Sequence, residues 1–382
     1  MITCDGSQSN HLTRDTGRRA RVNTRVLSLS ALTFSAVALL ADNGSMMPFV
    51  DTGSLIVVRS GHSATLLKDG TVLAAGGGTS SSRTEIYNPL SGTWTMYGNN
   101  MTSGPIKNHT AILLSNGKVL VMGGQHLLDG VYVPCAANIF YNPSDGTWKS
   151  LLAMLYQKGG YSATLLQDQR VLTTGGYGSF GVGRFSQLFI LSTDKWAMTS
   201  ALNTDHNKHT ASLLGNGKVL VVGGTDDTTS SACAELFDPA SELWTITGSM
   251  SFPRGAHTAM VLQNGKVLLM GGINNGALET NTDEYDPDAG TWTAMGAMHA
   301  GRIGHTSTLL PNGKVLVIGG CDTSSNAVSS VELFDPAAGT WSVVSTLPTG
   351  RYQHTATLLT NGLVLVSGGT IGANASSGCL LY

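Results

Sequence analysis

Alternating apolar and small polar residues, followed by a short apolar run, recur along most of this chain. One copy reads HTASLLGNGKVLVVGG from His209 to Gly224. The alternation indicates a half-buried strand, and the run Val219–Val222 indicates a strand covered on both faces. Between them stands Asn216–Gly217, a dipeptide that tolerates the positive φ angles of a two-residue turn. The phrase therefore predicts a β-hairpin that ends at a glycine pair.

The same sixteen-residue phrase occurs seven times. Successive starts are 47, 52, 48, 48, 48 and 49 residues apart, at His62, His109, Tyr161, His209, His257, His305 and His354. A fixed period in this range is typical of repeat architectures.

A second motif follows each of the first six phrases, an aromatic residue seven positions before a tryptophan. The pairs are Tyr87 and Trp94, Tyr141 and Trp148, Phe189 and Trp196, Phe237 and Trp244, Tyr285 and Trp292, and Phe334 and Trp341. Turn residues such as Asp238–Pro239 separate the partners, so two further strands are expected. Seven four-stranded units can bury both faces of every sheet by packing radially, which predicts a β-propeller.

These two motifs resemble the kelch family, whose repeat pairs a glycine doublet with a downstream aromatic residue and a tryptophan. The resemblance covers roughly residues 46 to 382. It implies an all-β, seven-bladed propeller with four antiparallel strands in each blade.

The two ends of the repeat array predict how the ring closes. Tyr382 falls at the third-strand aromatic position of the last unit, where the chain stops without a fourth strand. Phe49 stands 13 residues before His62, the spacing that tryptophan has in most other units. We therefore expect residues around 46 to 52 to supply the missing outer strand, which removes the exposed sheet edges of an open array.

Residues 1 to 41 differ from the rest of the chain. Arginines precede an apolar run from Val26 to Ala41, and Ala36-Val37-Ala38 offers a small-residue cleavage pattern. This predicts a secretory signal peptide. The run is short for a membrane span of about 20 residues, although an uncleaved anchor is the alternative. We expect a protein that is secreted, periplasmic or on the cell surface.

The composition fits export and argues against some partners. Charged residues make up 12% of the chain, against about 25% in ordinary domains. The net charge of −2 gives no electrostatic case for binding nucleic acid or an anionic membrane. The cysteines Cys135, Cys233, Cys321 and Cys379 lack zinc or redox spacing. Cys321 and Cys379 are expected in adjacent blades, either as a disulfide or as buried free thiols.

One face of the propeller is expected to carry the function. Turns within each hairpin are short and alike from unit to unit, whereas the loops after each glycine pair and the links into each phrase differ. A site for one ligand must break the sevenfold symmetry, so the variable loop face is the better candidate.

Repeated basic residues on that face have two interpretations. Arg59, Arg254, Arg302 and Arg351 stand three positions before phrase-initial histidines, with Lys107 and Lys158 near the same place in two other units. They form either a basic ring for an acidic ligand or hydrogen-bonded joints between blades. Because the residue repeats, the structural interpretation is favoured. The same interpretation is favoured for the six phrase-initial histidines, which a ring would spread apart rather than gather on a metal.

Departures from the repeat indicate a candidate ligand site in units two and three. Unit three has an aromatic and glycine-rich loop after its glycine pair, and unit two has the longest such loop. Aromatic faces beside a few polar groups suit sugar rings or a peptide. The candidate ligand-binding residues are Tyr161, Tyr177, Phe180, Arg184, Phe185, His126, Tyr132 and His206.

The kelch resemblance also implies two enzymatic alternatives. Galactose oxidase holds copper with two tyrosines and two histidines, one pair being adjacent, but here Gln353 separates Tyr352 from His354. A kelch sialic-acid mutarotase would use carboxylates and arginines, for which no diagnostic spacing occurs. We therefore predict an exported, monomeric binding module for an extracellular glycan or protein, without catalytic residues, metal or cofactor. A carbohydrate-active enzyme is the alternative.

Overall fold

The computed structural model describes residues 48–78, 82–156, 158–178, 181–225 and 229–382. The signal peptide expected over residues 1 to 41 lies outside them. Within the described ranges, no helix is long and apolar enough to cross a membrane.

The described residues form short β-strands. In chain order they are β1 (Val50–Asp51), β2 (Ser63–Leu66), β3 (Val72–Ala75), β4 (Glu85–Asn88), β5 (Thr93–Met96), β6 (Thr110–Leu113), β7 (Val119–Met122), β8 (Gln125–Leu128), β9 (Val131–Pro134), β10 (Asn138–Asn142), β11 (Thr147–Ser150), β12 (Ser162–Leu165), β13 (Val171–Thr174), β14 (Tyr177–Gly178), β15 (Gly181–Val182), β16 (Ser186–Ile190), β17 (Lys195–Met198), β18 (Thr210–Leu213), β19 (Val219–Val222), β20 (Ala234–Asp238), β21 (Leu243–Ile246), β22 (Thr258–Val261), β23 (Val267–Met270), β24 (Ile273–Asn274), β25 (Ala277–Leu278), β26 (Thr282–Asp286), β27 (Thr291–Met295), β28 (Thr306–Leu309), β29 (Val315–Ile318), β30 (Ser330–Asp335), β31 (Thr340–Thr346), β32 (Thr355–Leu358), β33 (Val364–Ser367), β34 (Thr370–Ile371), β35 (Asn374–Ala375) and β36 (Cys379–Leu381).

Seven four-stranded antiparallel sheets make the seven blades of a propeller, which confirms the predicted fold class. Blades one to seven are β2-β3-β4-β5, β6-β7-β10-β11, β12-β13-β16-β17, β18-β19-β20-β21, β22-β23-β26-β27, β28-β29-β30-β31 and β32-β33-β36-β1. The first strands of successive blades contact one another, and β32 of blade seven contacts β2 of blade one. The first strands therefore form a closed inner ring.

The last blade is completed by the N-terminal strand, as predicted. Val50 pairs with Leu381 and Asp51 with Leu380 in antiparallel register. The Phe49 ring lies 5.4 Å from the Tyr382 ring, centroid to centroid. This pair takes the place of the aromatic–tryptophan pairs of the other blades, whose rings lie across β-strand pairs such as Tyr87 and Trp94.

The hydrophobic core lies between the blades. The second strand of every blade is fully buried, as the apolar runs predicted. Among the described residues the apolar side chains form seven clusters, each shared by two neighbouring blades. At about 25 cal/mol per Å² of apolar surface, this inter-blade burial is the main stabilising term.

The turns inside the hairpins differ from the two-residue turns expected from Asn-Gly. In blade four, the Leu214 amide donates to the Lys218 carbonyl, and the Gly217 amide donates to the Leu214 carbonyl. Only Gly217 has a positive φ, 84°, and Asn216 does not. This is a three-residue loop with a left-handed residue at its end. Asn216 instead accepts a hydrogen bond from the Lys218 amide through its side chain.

Among the described residues, four additional two-stranded hairpins follow the glycine pairs of blades two, three, five and seven. They are β8-β9, β14-β15, β24-β25 and β34-β35. They lie on the face opposite the hairpin turns, together with the links between blades. The variable loops of the sequence thus have local structure of their own.

Candidate functional site

The repeated arginines are buried inside the loop face. Arg59, Arg254 and Arg302 have no exposed surface. Each forms an ion pair with a carboxylate on the third strand of its blade, Arg59 with Glu85 at 2.9 Å, Arg254 with Asp283 at 2.8 Å, and Arg302 with Glu332. These guanidinium groups are therefore not available to an acidic ligand.

Each of these arginines also joins two blades. The Arg59 side chain donates to the Gly76 carbonyl at 2.6 Å in blade one. Its own carbonyl accepts from the Gly369 amide at 2.8 Å in blade seven. Arg254 repeats both contacts, with Gly271 and Gly224. The geometry is that of a brace between blades.

His206 holds the arginine position in blade four, three residues before His209. Its side chain is fully buried, with Nδ1 2.5 Å from the Gly223 carbonyl and Nε2 3.3 Å from Glu235. Burial alone would raise the pKa of Glu235, but hydrogen bonds from His206, Asn203 and Thr204 outweigh it and lower the pKa to about 2. The structure thus corrects the proposal of His206 as a ligand-binding residue, because a ligand cannot reach it.

The same pair of positions varies in the other blades. Blade two has Ile106 and Ile139, both buried, so an apolar contact replaces the ion pair. Blade seven keeps Arg351 but has Leu380 in place of the carboxylate, and Arg351 donates to the carbonyls of Gly368 and Gly378 instead.

Blade three places Lys158 and Gln187 at these positions. Lys158 is 3% exposed, and its Nζ donates to the Phe185 carbonyl at 2.8 Å. The Gln187 Oε1 atom accepts from the Leu155 amide at 3.1 Å, as Glu85 accepts from the Ile56 amide in blade one. Burial lowers the pKa of Lys158 to about 7. Blade three therefore contains a buried amine without a carboxylate partner among the described residues.

The phrase-initial histidines link each blade to the one before it. Each Nε2 lies within hydrogen-bonding distance of a hydroxyl on the preceding first strand: His62 with Thr355, His109 with Ser63, His209 with Ser162, His257 with Thr210, His305 with Thr258 and His354 with Thr306. Burial, followed by the charge of Arg254, lowers the pKa of His257 to about 3. These histidines are therefore uncharged, and they connect neighbouring blades of the ring by hydrogen bonds.

Tyr161 takes the histidine position in blade three. Its hydroxyl donates to the Met122 carbonyl of blade two at 2.5 Å, and burial raises its pKa. Tyr161 therefore belongs to the joints between blades rather than to the loop surface where it was expected to meet a ligand.

A cavity of about 260 Å³ opens on the loop face of blade three. Its walls include Tyr177 and Phe185, two of the sequence candidates, together with Tyr156, Leu155 and Lys158. The Tyr156 and Phe185 rings are stacked, 4.6 Å apart with an interplanar angle of 18°. The sequence did not single out Tyr156 or Leu155, and it suggested Lys158 only as a member of the basic ring.

Tyr177 lies between this cavity and the loop of blade two. Its hydroxyl accepts from Gln125 Nε2 at 2.7 Å, and its backbone exchanges two hydrogen bonds with Gly159 at 2.8 Å. A Cβ atom on Gly159 would lie 2.7 Å from the tyrosine ring, so a larger residue there would displace the ring. Tyr177 also lines a second depression with His126 and Leu128.

The remaining candidates lie around these depressions. His126 lies 3.0 Å from the Pro105 carbonyl through Nδ1. Lys107 lies 3.3 Å above the Tyr132 ring, a cation–π contact. Arg184 is largely exposed, 3.7 Å from Asp205. Phe180 lies outside the described residues.

The cysteines of the described residues are free thiols. Cys135, Cys321 and Cys379 are buried and Cys233 is half-buried. Of the two alternatives for Cys321 and Cys379, the structure has the free thiols, and burial raises the pKa of both.

The tyrosine and histidine nearest to a copper-oxidase pattern are not arranged for a metal. His354 contacts Thr306 through Nε2 at 2.9 Å, and Gln353 separates it from Tyr352 along the chain. Within the described ranges no three His, Cys, Asp or Glu side chains lie close enough to share an ion. These residues do not fit a copper centre.

Comparison with known protein families identifies the repeat motif. The Kelch motif model matches residues 207–251, 254–299 and 304–348, the units of blades four to six. The chain is a kelch-repeat β-propeller. No curated protein sequence matches it.

Two solved structures share the fold of this kelch propeller at low identity. One is titled a novel fungal alcohol oxidase of the AA5 family in complex with copper, with TM-score 0.69 and 16% identity over 88% of this chain and 76% of the oxidase. The other is titled the structure of YjhT, with TM-score 0.62 and 16% identity over 76% of this chain and 98% of YjhT. At this identity the similarity establishes the fold and not the activity.

Proposed function

We propose that this propeller is an exported module that binds a glycan through the loops of blades two and three. The observation that carries the proposal is the cavity with three aromatic walls, Tyr156, Tyr177 and Phe185. Small-molecule sites are mostly apolar with a few polar groups that orient the ligand. Here the lining residues with polar groups are Lys158 and Tyr177.

The size and position of the cavity support a small ligand group. Its volume of about 260 Å³ is just below the range of roughly 300–1,000 Å³ for drug-sized ligands. A terminal sugar unit suits this space better than an extended chain. The adjoining depression at His126 and Leu128 offers room for a second unit across Tyr177.

The test is a glycan-array screen of the propeller, residues 42 to 382, beside the Phe185→Ala variant. The proposal expects saturable binding of one glycan class by the wild type and at least about a tenfold loss in the variant, since stacking area is removed. Asn281 holds the equivalent position in blade five, where its carbonyl accepts from Arg254, so Asn281→Ala is the matched control and should bind normally. A blank array with correctly folded protein would contradict glycan binding.

A protein partner is the second candidate function, favoured by the hairpin of blade two. Leu127, Leu128 and Val131 near its tip are 41%, 59% and 62% exposed. Neighbouring exposed apolar residues are typical of interaction surfaces. Under this alternative, Leu128→Asp abolishes partner binding and Phe185→Ala does not.

An enzymatic role finds less support. The oxidase among the structural neighbours is described with copper, but Tyr352 and His354 do not fit that metal here. The described geometry therefore favours binding over copper chemistry.

A further inference from the structure

Lys158 differs from the arginines that hold its position in blades one, five and six. In blades one, five and six the arginine meets a carboxylate within the blade. Lys158 meets Gln187 instead, and Gln187 is already bonded to the Leu155 amide. Within the described part of the chain, the Lys158 amine donates one hydrogen bond, to the Phe185 carbonyl.

The surroundings of this amine favour its neutral form. Removing a charged ammonium from water is costly without a partner, and burial lowers the pKa of Lys158 to about 7. Across the blade interface His209 interacts electrostatically with Lys158, and burial keeps His209 neutral. Tyr161 at the same interface is un-ionised because burial raises its pKa. No anion among these groups offsets the lysine charge.

The residue also borders a space that a ligand can enter. Lys158 lines the cavity with Tyr156, Tyr177 and Phe185. Leu155, which is 49% exposed, lies at its edge and connects it with the surface. A neutral lysine amine in an apolar, accessible pocket is the arrangement in which lysine acts as a nucleophile.

We propose that Lys158 captures an aldehyde-bearing ligand in this cavity as an imine. The Nζ lone pair forms a C–N bond to the carbonyl carbon, and the carbonyl electron pair moves to oxygen. Both amine hydrogens then leave with that oxygen as water, so a C=N bond replaces C=O without any redox change. The inference rests on the cavity as the ligand site, but it does not require the ligand to be a glycan.

The test uses glycolaldehyde, a two-carbon hydroxyaldehyde, with cyanoborohydride to reduce any imine formed. After brief treatment at pH 7.5, digestion and mass spectrometry give the modification rate of each lysine. Lys149, whose side chain is 69% exposed, is the internal control. An amine with pKa near 7 is about three-quarters neutral at this pH, against about one part in a thousand for an ordinary lysine. Since a less basic amine is also a weaker nucleophile, we expect Lys158 to react at least about tenfold faster than Lys149.

The pH dependence and variants separate a reactive amine from a buried structural one. The Lys158 rate should level off above about pH 7, whereas the Lys149 rate should keep rising. Lys158→Arg retains a donor toward the Phe185 carbonyl and should remove the fast-reacting site without abolishing folding. The ratio measured within the wild type stands even if that variant fails to fold.

Each outcome decides for or against the inference. Lys158 labelling that is no faster than Lys149, or that appears only after urea unfolding, overturns it. Fast labelling together with a blank glycan array supports the inference and overturns the glycan proposal. Glycan binding without Lys158 modification supports the glycan proposal and overturns the inference. If acetate binds saturably at Lys158 while the aldehyde does not react, the cavity is an anion site and the inference is wrong.

Discussion

The ring of buried histidines predicts that mild acid unfolds this propeller. Burial, with the charge of nearby arginines, lowers the pKa of His62, His257, His305 and His354 to about 3, and that of His109 to about 4. In the unfolded chain each titrates near 6.5. The unfolded state therefore binds more protons below pH 6.5, so the free energy of unfolding falls as the pH is lowered from that value.

The size of the effect follows from these values. A histidine with a folded pKa of about 3 loses roughly 2 kcal/mol of stabilisation between pH 7 and pH 5. Five such groups lose about 10 kcal/mol, and His209, whose pKa burial also lowers, adds to the loss. The whole stability of a domain is about 5–15 kcal/mol. Glu235, with a pKa of about 2, contributes only at lower pH. Lys158, with a pKa of about 7, contributes less than about 1 kcal/mol between pH 7 and 5, so this window reports mainly the histidines.

The assay is urea unfolding followed by tryptophan fluorescence at several pH values between 7 and 5. His257→Gln removes one titrating group, so its free energy of unfolding should fall by about 2 kcal/mol less over this range than that of the wild type. Tyr161→Phe is the matched control, because it removes the equivalent inter-blade hydrogen bond without a group that titrates here. It should cost about 1 kcal/mol at every pH. A wild-type stability that is flat from pH 7 to 5 would refute the reasoning, since the histidines would then be protonated in the folded state as well.

Further predictions concern individual blades. Gln187→Glu gives Lys158 the carboxylate that other blades have, so it should raise the lysine pKa and slow aldehyde labelling at pH 7.5; an unchanged rate would contradict the proposed cause. Arg302→Met removes the guanidinium partner of a buried carboxylate and should cost about 3–5 kcal/mol in urea unfolding, whereas Arg351→Met, without a carboxylate partner, should cost less than half of that. Phe49→Ala removes the ring that packs on the C-terminal residue and should lower stability by about 2 kcal/mol; an unchanged urea midpoint would mean that the N-terminal strand does not stabilise the closed ring.

The fold was predictable because the same burial pattern recurs at a fixed spacing in every unit. The apolar run Val219–Val222 and Trp244 pack against the neighbouring blades, and this burial between blades recurs around the ring of seven. Ring closure was predictable because Phe49 stands as far before His62 as tryptophan stands before the next phrase in most units. The turn type was wrong because Asn-Gly suits two turn geometries, and the bonds of Leu214 with its neighbours decide between them.

The candidate site was predictable only in part. Tyr177 and Phe185 were found as exceptions to the repeat, and they line the cavity. His206 was misjudged as a ligand-binding residue. It stands three residues before His209, as the repeated arginines stand before their histidines, and this spacing already indicated a structural role between blades. Tyr156 had no signal in the sequence, because its role depends on stacking against a ring 29 positions away. The sequence did not show that Lys158 lacks a carboxylate partner, because the residue that faces it depends on sheet register rather than on sequence spacing.

Calorimetric titration of the glycan found by the array tests the central claim most directly. Tyr177→Ala is compared with Ile273→Ala, since Ile273 begins the equivalent hairpin of blade five. The account predicts that binding weakens at least about tenfold when Tyr177 is truncated, because its ring is a wall of the cavity. The Ile273 variant should bind as the wild type does. Equal affinities for all three proteins would contradict a ligand site in blade three.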